Sequence, residues 1–306
     1  MSKTKIRVSP VITFAVVILA TLVGVYVVGS ALLPTTNLSS VVASCGDGYC
    51  SESEKLNPKS CPQDCLTQPY GTFIAVHMEP GLPYAQKYWP NLVGLVAAAD
   101  QYNIKLTLQF NPQWGTLILN DPVKLKLLRN WESNGHEIAL HHHGPSHASW
   151  NGYTNRVDMK SDSRYRGTVA DMMRIIRRLP IDGVIATAGA TDEETDWPFG
   201  VPFDTNGGPN LTDLLSVPTK IDLKSRGLTV TQVKYRMYAV ATAQAAPLSE
   251  IEAAYDSSGN QIMGIVFHVH DYADRKQAID ELFDSLRDNG VRIRSVEDLL
   301  NSYSAS

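Results

Sequence analysis

The sequence contains no low-complexity tract, no internal repeat and no cluster of basic residues. Of its 306 residues, 43% are hydrophobic and 19% are charged, and this balance excludes a disordered or collagen-like protein. Lys and Arg together number 27 and Asp and Glu 31, which gives a net charge of −4. We expect no nucleic-acid partner, because binding to a phosphate backbone requires clustered Lys and Arg.

Charged residues are absent from residues 11–33, an apolar run that would span roughly 35 Å as a helix. Three cations lie within the first seven residues, and the next Lys or Arg is Lys55. The positive-inside rule then places the N-terminus in the cytoplasm and the rest of the chain outside. We predict that residues 1–33 are a cytoplasmic stub and a transmembrane helix or signal anchor, with an extracytoplasmic C-terminal domain. A cleaved signal peptide is the alternative, and it also exports the domain.

Cysteine is absent outside one short segment, residues 45–65, which follows a Ser/Thr-rich stalk at residues 34–44. The segment has too few apolar residues to hold itself together by burial. Because an even number of cysteines in an exported protein indicates disulfides, we predict a disulfide-rich module. Its cysteines are Cys45, Cys50, Cys61 and Cys65. A four-thiolate zinc site and a calcium site on the acidic side chains of the segment are the alternatives.

The remainder of the chain alternates short β-rich runs with longer helical patterns. The predicted strands are at residues 72–78, 104–110, 136–142, 183–188, 214–217, 228–238, 263–270 and 291–294. The predicted helices are at residues 92–102, 122–133, 163–179, 248–255, 275–289 and 295–303. Seven or eight βα units favour an α/β domain with a barrel-like parallel sheet. Residues 189–213 are predicted to form a long irregular loop.

The eight histidines lie at or near the C-terminal ends of predicted strands, or just beyond them. They are His77, His136, His141, His142, His143, His147, His268 and His270. In parallel α/β folds the strand C-termini and the loops after them form the face on which functional sites are assembled. The histidines therefore predict a metal site or acid–base chemistry on this face, rather than ordinary core and surface positions.

Side-chain alternation places His141 and His143 on one face of their strand, and His77 and Glu79 on one face of the first strand. A turn after His143 can bring His147 back to the same place. Two imidazoles and a carboxylate with an open coordination position suit zinc or another divalent transition ion. Glu79, His141, His143 and His147 are therefore the candidate ligands. The sequence has no His-Glu-x-x-His motif on a helix, so it does not support zincin chemistry.

The motif GHEIALHHHGPSH is followed about 120 residues later by GIVFHVHDY and then VRIRSVEDLL. This series resembles the polysaccharide deacetylase family, carbohydrate esterase family 4, over residues 70–303. The resemblance implies a distorted (β/α)7–8 barrel that removes acetyl groups from N-acetylated sugars at an Asp-His-His metal site. It also implies that His141 is a metal ligand and His270 the catalytic acid. The aspartate pair of the family is replaced here by His77 and Glu79.

Together with this resemblance, which implies the glycan substrate, the patterns predict a membrane-anchored, metal-dependent hydrolase that removes N-acetyl or similar acyl groups. The ion would lower the pKa of its bound water. Glu79 or His77 would accept a proton, and His270 would protonate the departing amine. The predicted sugar-stacking residues are Trp150, Trp197 and Phe199. The alternatives are a catalytically inactive glycan-binding or cell-surface domain on the same barrel, and a histidine-rich metal-binding surface protein.

Overall fold

The computed structural model describes residues 71–206, 214–239, 245–255 and 261–305. The predicted membrane segment, stalk and cysteine module lie outside these residues. Within the described ranges, no helix combines the length and the apolar character that a membrane span requires.

One mainly parallel sheet and the helices around it form the described domain. The strands are β1 Gly71–His77, β2 Leu106–Phe110, β3 Glu137–His142, β4 Thr187–Ala190, β5 Phe203–Asn206, β6 Leu215–Ser216, β7 Thr219–Leu223, β8 Leu228–Lys234, β9 Arg236–Met237 and β10 Ile262–His268. The α-helices are α1 Leu82–Gln101, α2 Pro112–Leu119, α3 Pro122–Ser133, α4 Val169–Ile176, α5 Glu193–Asp196, α6 Leu248–Tyr255, α7 Val269–Asp274, α8 Lys276–Asp288 and α9 Val296–Ala305. Short 3-10 helices lie at Val157–Ser161 and Lys224–Arg226.

The order of strands across the sheet is β6-β10-β1-β2-β3-β4-β5-β8-β7. All neighbours from β10 to β8 are parallel, whereas β6 and β7 pair in antiparallel fashion at the two ends. The chain passes from β8 through Tyr235 into β9, and β9 pairs in parallel with β10. Since β8 also pairs with β5, the segment from β8 to β9 pairs with both β5 and β10, which lie far apart in the strand order. The sheet is therefore curled, and it fits the distorted barrel that we predicted.

Alternate strand positions point into the barrel. On β1, Phe73 and Ala75 belong to a buried apolar cluster that also includes Phe203 on β5 and Val266 on β10. The next inward position on β1 is His77, at the end of the strand. The barrel is therefore apolar in its middle and carries imidazole at the C-terminal ends of its strands.

Glycine is required at position 189 on β4, where side chains from β2 and β5 approach closely. A Cβ atom there would lie 2.7 Å from Oε1 of Gln109 and 3.1 Å from Oγ1 of Thr205. Nε2 of Gln109 also donates to Thr205 Oγ1 over 2.7 Å. The absence of a side chain at Gly189 thus leaves room for this polar pair under the strand ends.

Helix α9 is attached to the opposite end of the barrel by hydrogen bonds at its N-terminus. The backbone N–H of Val296 donates to Thr107 Oγ1 over 3.0 Å, and that of Glu297 donates to Glu137 Oε2 over 3.2 Å. Thr107 Oγ1 in turn donates to Glu137 Oε2 over 2.8 Å. Burial raises the pKa of Glu137 to about 7, although its hydrogen bonds with Thr187, Thr107 and Glu297 oppose this rise.

Candidate metal centre

Imidazole and carboxylate side chains gather at the C-terminal ends of β1, β3 and β10, around a cavity of about 480 Å³. Five of the predicted site residues line this cavity: His77, Glu79, His141, His143 and His147. His268 on β10 lines it as well. The parallel register of β1 and β10 brings two of these side chains together, because His77 and His268 are directly paired.

Two groups of candidate ligands lie here: one is His268, His270 and Asp271, and the other, which lies against the cavity, is Glu79, His141 and His143. Each offers one ligand atom, and these atoms lie within 4.8 Å of one another. Glu79 Oε1 is 3.7 Å from His141 Nε2, and Glu79 Oε2 is 3.7 Å from His143 Nδ1. His143 Nδ1 also lies 3.2 Å from the peptide carbonyl of Ser149, to which it donates a hydrogen bond in the tautomer that leaves the Nε2 lone pair free for an ion.

The buried nitrogens of this group fit a bound cation. Neither ring nitrogen of His141 has a hydrogen-bond partner among the described residues, and the same holds for His77 Nε2. A buried polar atom without a partner costs free energy, and coordination to an ion removes that cost. Two imidazole nitrogens and one carboxylate are a donor set that suits zinc and other divalent transition ions.

The electrostatics of the group also favour metal binding. Burial lowers the pKa values of His77, His141 and His143, with that of His143 falling to about 2, so the rings are neutral near pH 7. Burial alone would raise the pKa of Glu79, but the proximity of His141, His143 and His268 outweighs it and brings the value to about 2. Neutral imidazoles beside an ionised carboxylate are the protonation states that a cation requires.

His147 lies at the cavity but outside the group of three ligands. Its Nδ1 accepts a hydrogen bond from the backbone N–H of Ser149 over 3.1 Å, so the lone pair of this nitrogen is already used. Its ring centroid is 3.8 Å from that of His143, with the two planes at 38°. His147 therefore supports the position of the His143 ring in this structure.

His268 and His270 occupy different environments, because β10 ends at His268 and α7 begins at Val269. We expected the strand to continue to His270. Instead, the Asp271 carboxylate accepts hydrogen bonds from the backbone N–H of His268 over 2.7 Å and from its Nδ1 over 3.0 Å. The other nitrogen of His268, Nε2, lies 3.3 Å from Glu79 Oε1.

His270 lies on the first turn of α7, outside the residues that line the cavity. Its Nδ1 is hydrogen-bonded to the Tyr84 hydroxyl, and its Nε2 is 3.6 Å from Asp271 Oδ1. Burial lowers its pKa, although the carboxylate of Asp271 opposes this. The structure thus brings His268, rather than His270, next to the candidate ligands.

The three predicted sugar-stacking residues differ in burial, and none of them lines the cavity of the candidate metal centre. Trp150 lines a second cavity, but the Arg164 guanidinium covers one face of its indole at 5.1 Å from the ring centroid. Trp197 is fully buried, and its indole N–H donates to the Val201 carbonyl over 2.9 Å. Phe199 is 72% exposed and lines neither cavity.

Sequence reasoning missed Asp271 and Tyr235 as neighbours of the site. His268 and Asp271 form a capping box at the start of α7, and the spacing His-x-x-Asp is a signal that could have revealed this helix start. Tyr235 packs edge-on against His77, with ring centroids 5.5 Å apart. It is the residue between β8 and β9, so only the pairing of those strands brings it to the cavity.

The comparisons with known proteins return remote similarities of fold. No protein-family profile matches the chain, and no curated protein matches it. Among solved structures, the CE4 domain of a multidomain xylanase from the hindgut metagenome of Trinervitermes trinervoides is 13% identical, with a TM-score of 0.42, over 76% of this chain and 90% of that one. A CE4 family pseudoenzyme from Bacillus anthracis is 9% identical, with a TM-score of 0.42, over 76% of this chain and 66% of that one.

The peptidoglycan deacetylase PdaC from Bacillus subtilis is 13% identical, with a TM-score of 0.40, over 78% of this chain and 93% of that one. These neighbours include carbohydrate esterase family 4 structures, the family that the sequence motifs resemble. At such identities and TM-scores the likeness transfers no activity, substrate or residue role to this chain.

Proposed function

We propose that this protein is a metal-dependent hydrolase that removes an acyl group, foremost an N-acetyl group, from a glycan outside the cytoplasm, with residues 1–33 as its membrane anchor. One observation carries the proposal. The ligand atoms of Glu79, His141 and His143 lie within 4.8 Å of one another at the barrel mouth, and His268 Nε2 approaches the same carboxylate at 3.3 Å. The site thus has a candidate cation-binding group and a candidate proton-transfer group side by side.

Glu79, His141 and His143 would hold the divalent ion, with zinc as the first candidate. When bound, such an ion polarises an acyl carbonyl and lowers the pKa of a coordinated water. His77 stacks on His141 at 4.2 Å between ring centroids, with the planes at 29°, and so holds the ligand ring in position. The apolar cluster below these rings fixes the strand ends that carry them.

His268 is the candidate general acid and base. The hydrogen bond to Asp271 keeps a proton on Nδ1 and fixes the orientation of the ring. Nε2 then faces the cavity and can take a proton from the attacking water or give one to the departing amine. This assignment replaces His270, whose Nδ1 is engaged by Tyr84.

The decisive experiment uses the full-length protein in detergent, loaded with zinc or stripped with a chelator. Acetate release from an N-acetylglucosamine oligomer should require the metal, and zinc should bind at about one equivalent per chain. The control is Asn289→Ala, at the exposed end of α8, which should retain zinc and acetate release. Acetate release that continues unchanged after metal removal would refute the proposal.

A catalytically inactive glycan-binding domain is the second candidate. The observation that favours it is the shortage of carboxylates, because Glu79 is the one acidic residue among the described residues that line the cavity. If Glu79 is a metal ligand, no second carboxylate there can act as a base. Oligosaccharide binding by the zinc-loaded protein without any acetate release would identify this function.

A further inference from the structure

A second cavity, of about 650 Å³, shares a wall with the candidate metal centre. Pro80 lines it and directly follows Glu79 in the chain. Ser149 also lines it, and the backbone of this residue hydrogen-bonds to both His143 and His147. A polymer with one unit at the metal centre would therefore place a neighbouring unit in this second cavity, which we call the side groove.

The side groove carries an uncompensated positive charge. Its two cations are Arg164 and Arg166. Arg164 is neutralised by Asp162, whose two carboxylate oxygens accept from Nε and from a terminal guanidinium nitrogen, each over 3.1 Å. No carboxylate of the described residues lies within ion-pair distance of Arg166. This free guanidinium is notable in a chain whose net charge is −4.

The backbone around Arg166 is held firmly. Its N–H donates to the Gly152 carbonyl over 2.7 Å, and a parallel bridge joins Tyr153 to Gly167 beside it. A Cβ atom at Gly152 would lie 2.6 Å from the Arg164 carbonyl oxygen and 2.8 Å from Arg166 Cγ. The stem of Arg166 thus packs against the bare backbone of Gly152, while the residue as a whole remains exposed.

A second polar group in the side groove also lacks a partner. Gln113 Nε2 donates to the Asn151 carbonyl over 2.8 Å, which directs Oε1 of the same amide away from that carbonyl. Oε1 is buried and has no hydrogen-bond partner within the described part of the chain. An acceptor of this kind suits a ligand hydroxyl, a group that every sugar unit offers.

We propose that the side groove binds the sugar unit next to the one that is deacylated, and that this unit carries an anionic substituent, a carboxylate or a phosphate, which pairs with Arg166. The inference rests on the proposed function, which supplies the glycan. The planar guanidinium matches the two oxygens of either anion in a bidentate pair. A hydroxyl of the same unit donates to Gln113 Oε1. The natural substrate is then an acidic glycan rather than a neutral one.

Binding to the full-length, zinc-loaded protein in detergent tests the proposal by calorimetry with three oligosaccharides of equal length. One contains only N-acetylglucosamine, one alternates it with a uronic acid, and one alternates it with a phosphorylated sugar. We expect one or both acidic oligomers to bind about tenfold more tightly than the neutral one. The arm with the larger gain identifies the anion. Raising the salt concentration should reduce the gain.

The variant Arg166→Gln removes the charge and keeps a stem that can pack on Gly152. It should abolish the preference for acidic over neutral oligomers, whereas Arg166→Lys should retain part of the preference. The matched control is Arg287→Gln on α8, an exposed arginine paired with Asp284 and Asp288, which should bind like the native protein.

Three outcomes separate this inference from the proposed function. Equal binding of neutral and acidic oligomers, with metal-dependent acetate release, overturns the inference and leaves the hydrolase. An acidic preference that depends on Arg166, without acetate release from any oligomer, supports the groove and refutes the hydrolase. No binding of any oligomer overturns the inference.

Discussion

At the residue scale, the tautomers of the histidines decide which rings can bind a metal. His141 has two buried nitrogens without hydrogen-bond partners among the described residues, whereas His147 uses its Nδ1 lone pair for the Ser149 N–H. The sequence pattern predicted both His141 and His147 as candidate ligands and did not distinguish between them. The hydrogen bonds of the loop after β3 distinguish them.

We therefore expect His141→Ala to lose most of its bound zinc and His147→Ala to keep most of it. Atomic emission measurement of zinc after dialysis, with folding checked by circular dichroism, gives the comparison. Retention of a full equivalent by His141→Ala would contradict the ligand group. Loss of zinc from both variants would show that His147 changes its hydrogen bonding and joins the ligands.

His268 and His270 provide a matched pair for the acid–base role. Removal of a general acid or base usually costs about 10²- to 10⁴-fold in turnover. We expect this loss for His268→Gln, because His268 Nε2 lies 3.3 Å from Glu79. We expect His270→Gln to stay within a few-fold of the native rate, because His270 contacts Tyr84 outside the cavity. Zinc content should be unchanged in both.

Steady-state acetate release by the two variants checks this expectation. If His270→Gln is inactive and His268→Gln retains normal turnover, the earlier assignment of His270 is the correct one. If neither substitution matters, proton transfer does not involve this end of β10.

At the scale of elements, the attachment of α9 to the sheet depends on a carboxyl group that titrates near neutrality. The pKa of Glu137 rises from 4.5 to about 7 in the folded protein because the group is buried. Below pH 4.5 the group is protonated in both folded and unfolded chains. As the pH rises from 4.5 through about 7, the unfolded chain loses the proton first, so the free energy of unfolding falls, by roughly 3 kcal/mol in total.

Glu137→Gln should remove this loss. The amide oxygen can still accept from Thr107 and from the N–H of Glu297, and the side chain no longer ionises. Urea unfolding should show that Glu137→Gln is about as stable as the native protein at pH 5. At pH 8 the variant should be more stable than the native protein. Glu281→Gln, on the exposed face of α8, is the control without a pH-dependent effect. A variant that is less stable than the native protein at pH 8 would mean that the charge itself stabilises the attachment of α9.

At the scale of the whole molecule, the charged and apolar segments of the sequence predict a membrane anchor followed by a C-terminal domain outside the cytoplasm. Residues 1–70 lie outside the described residues, so the anchor and the cysteine module remain predictions from the sequence. They are linked, because disulfides between Cys45, Cys50, Cys61 and Cys65 require an oxidising compartment.

Intact-mass analysis after thiol alkylation under non-reducing conditions tests this link. We expect no alkylated cysteine in protein isolated from its native membrane, and four after reduction. Four alkylated cysteines without reduction would contradict the predicted module, and tightly bound zinc in that material would favour the thiolate alternative.

Local patterns in the sequence predicted several elements well. Asp121 followed by Pro122 is a strong helix start, and α3 has the predicted bounds, with the Asp121 side chain accepting from the N–H groups of Val123 and Lys124. Helix α6 also has its predicted bounds. By contrast, α1 begins at Leu82, ten residues before the predicted start, because the helix continues through Pro90. A proline inside a helix removes one backbone hydrogen bond, so the local sequence around Pro90 disfavours a helix that the folded protein nevertheless forms.

The sequence by itself determined that histidines and one glutamate stand at strand ends, because alternation and strand periodicity are local properties. The tertiary structure decided which of them meet. Strand β5 lies within the predicted loop, since Phe203–Asn206 is short and partly polar and becomes a strand only through pairing with β4 and β8. Helix α7 begins one residue after His268, since Asp271 caps it, and this ends the alternation that would have aligned His270 with the site. These outcomes depend on contacts between distant parts of the chain, which local sequence patterns do not specify.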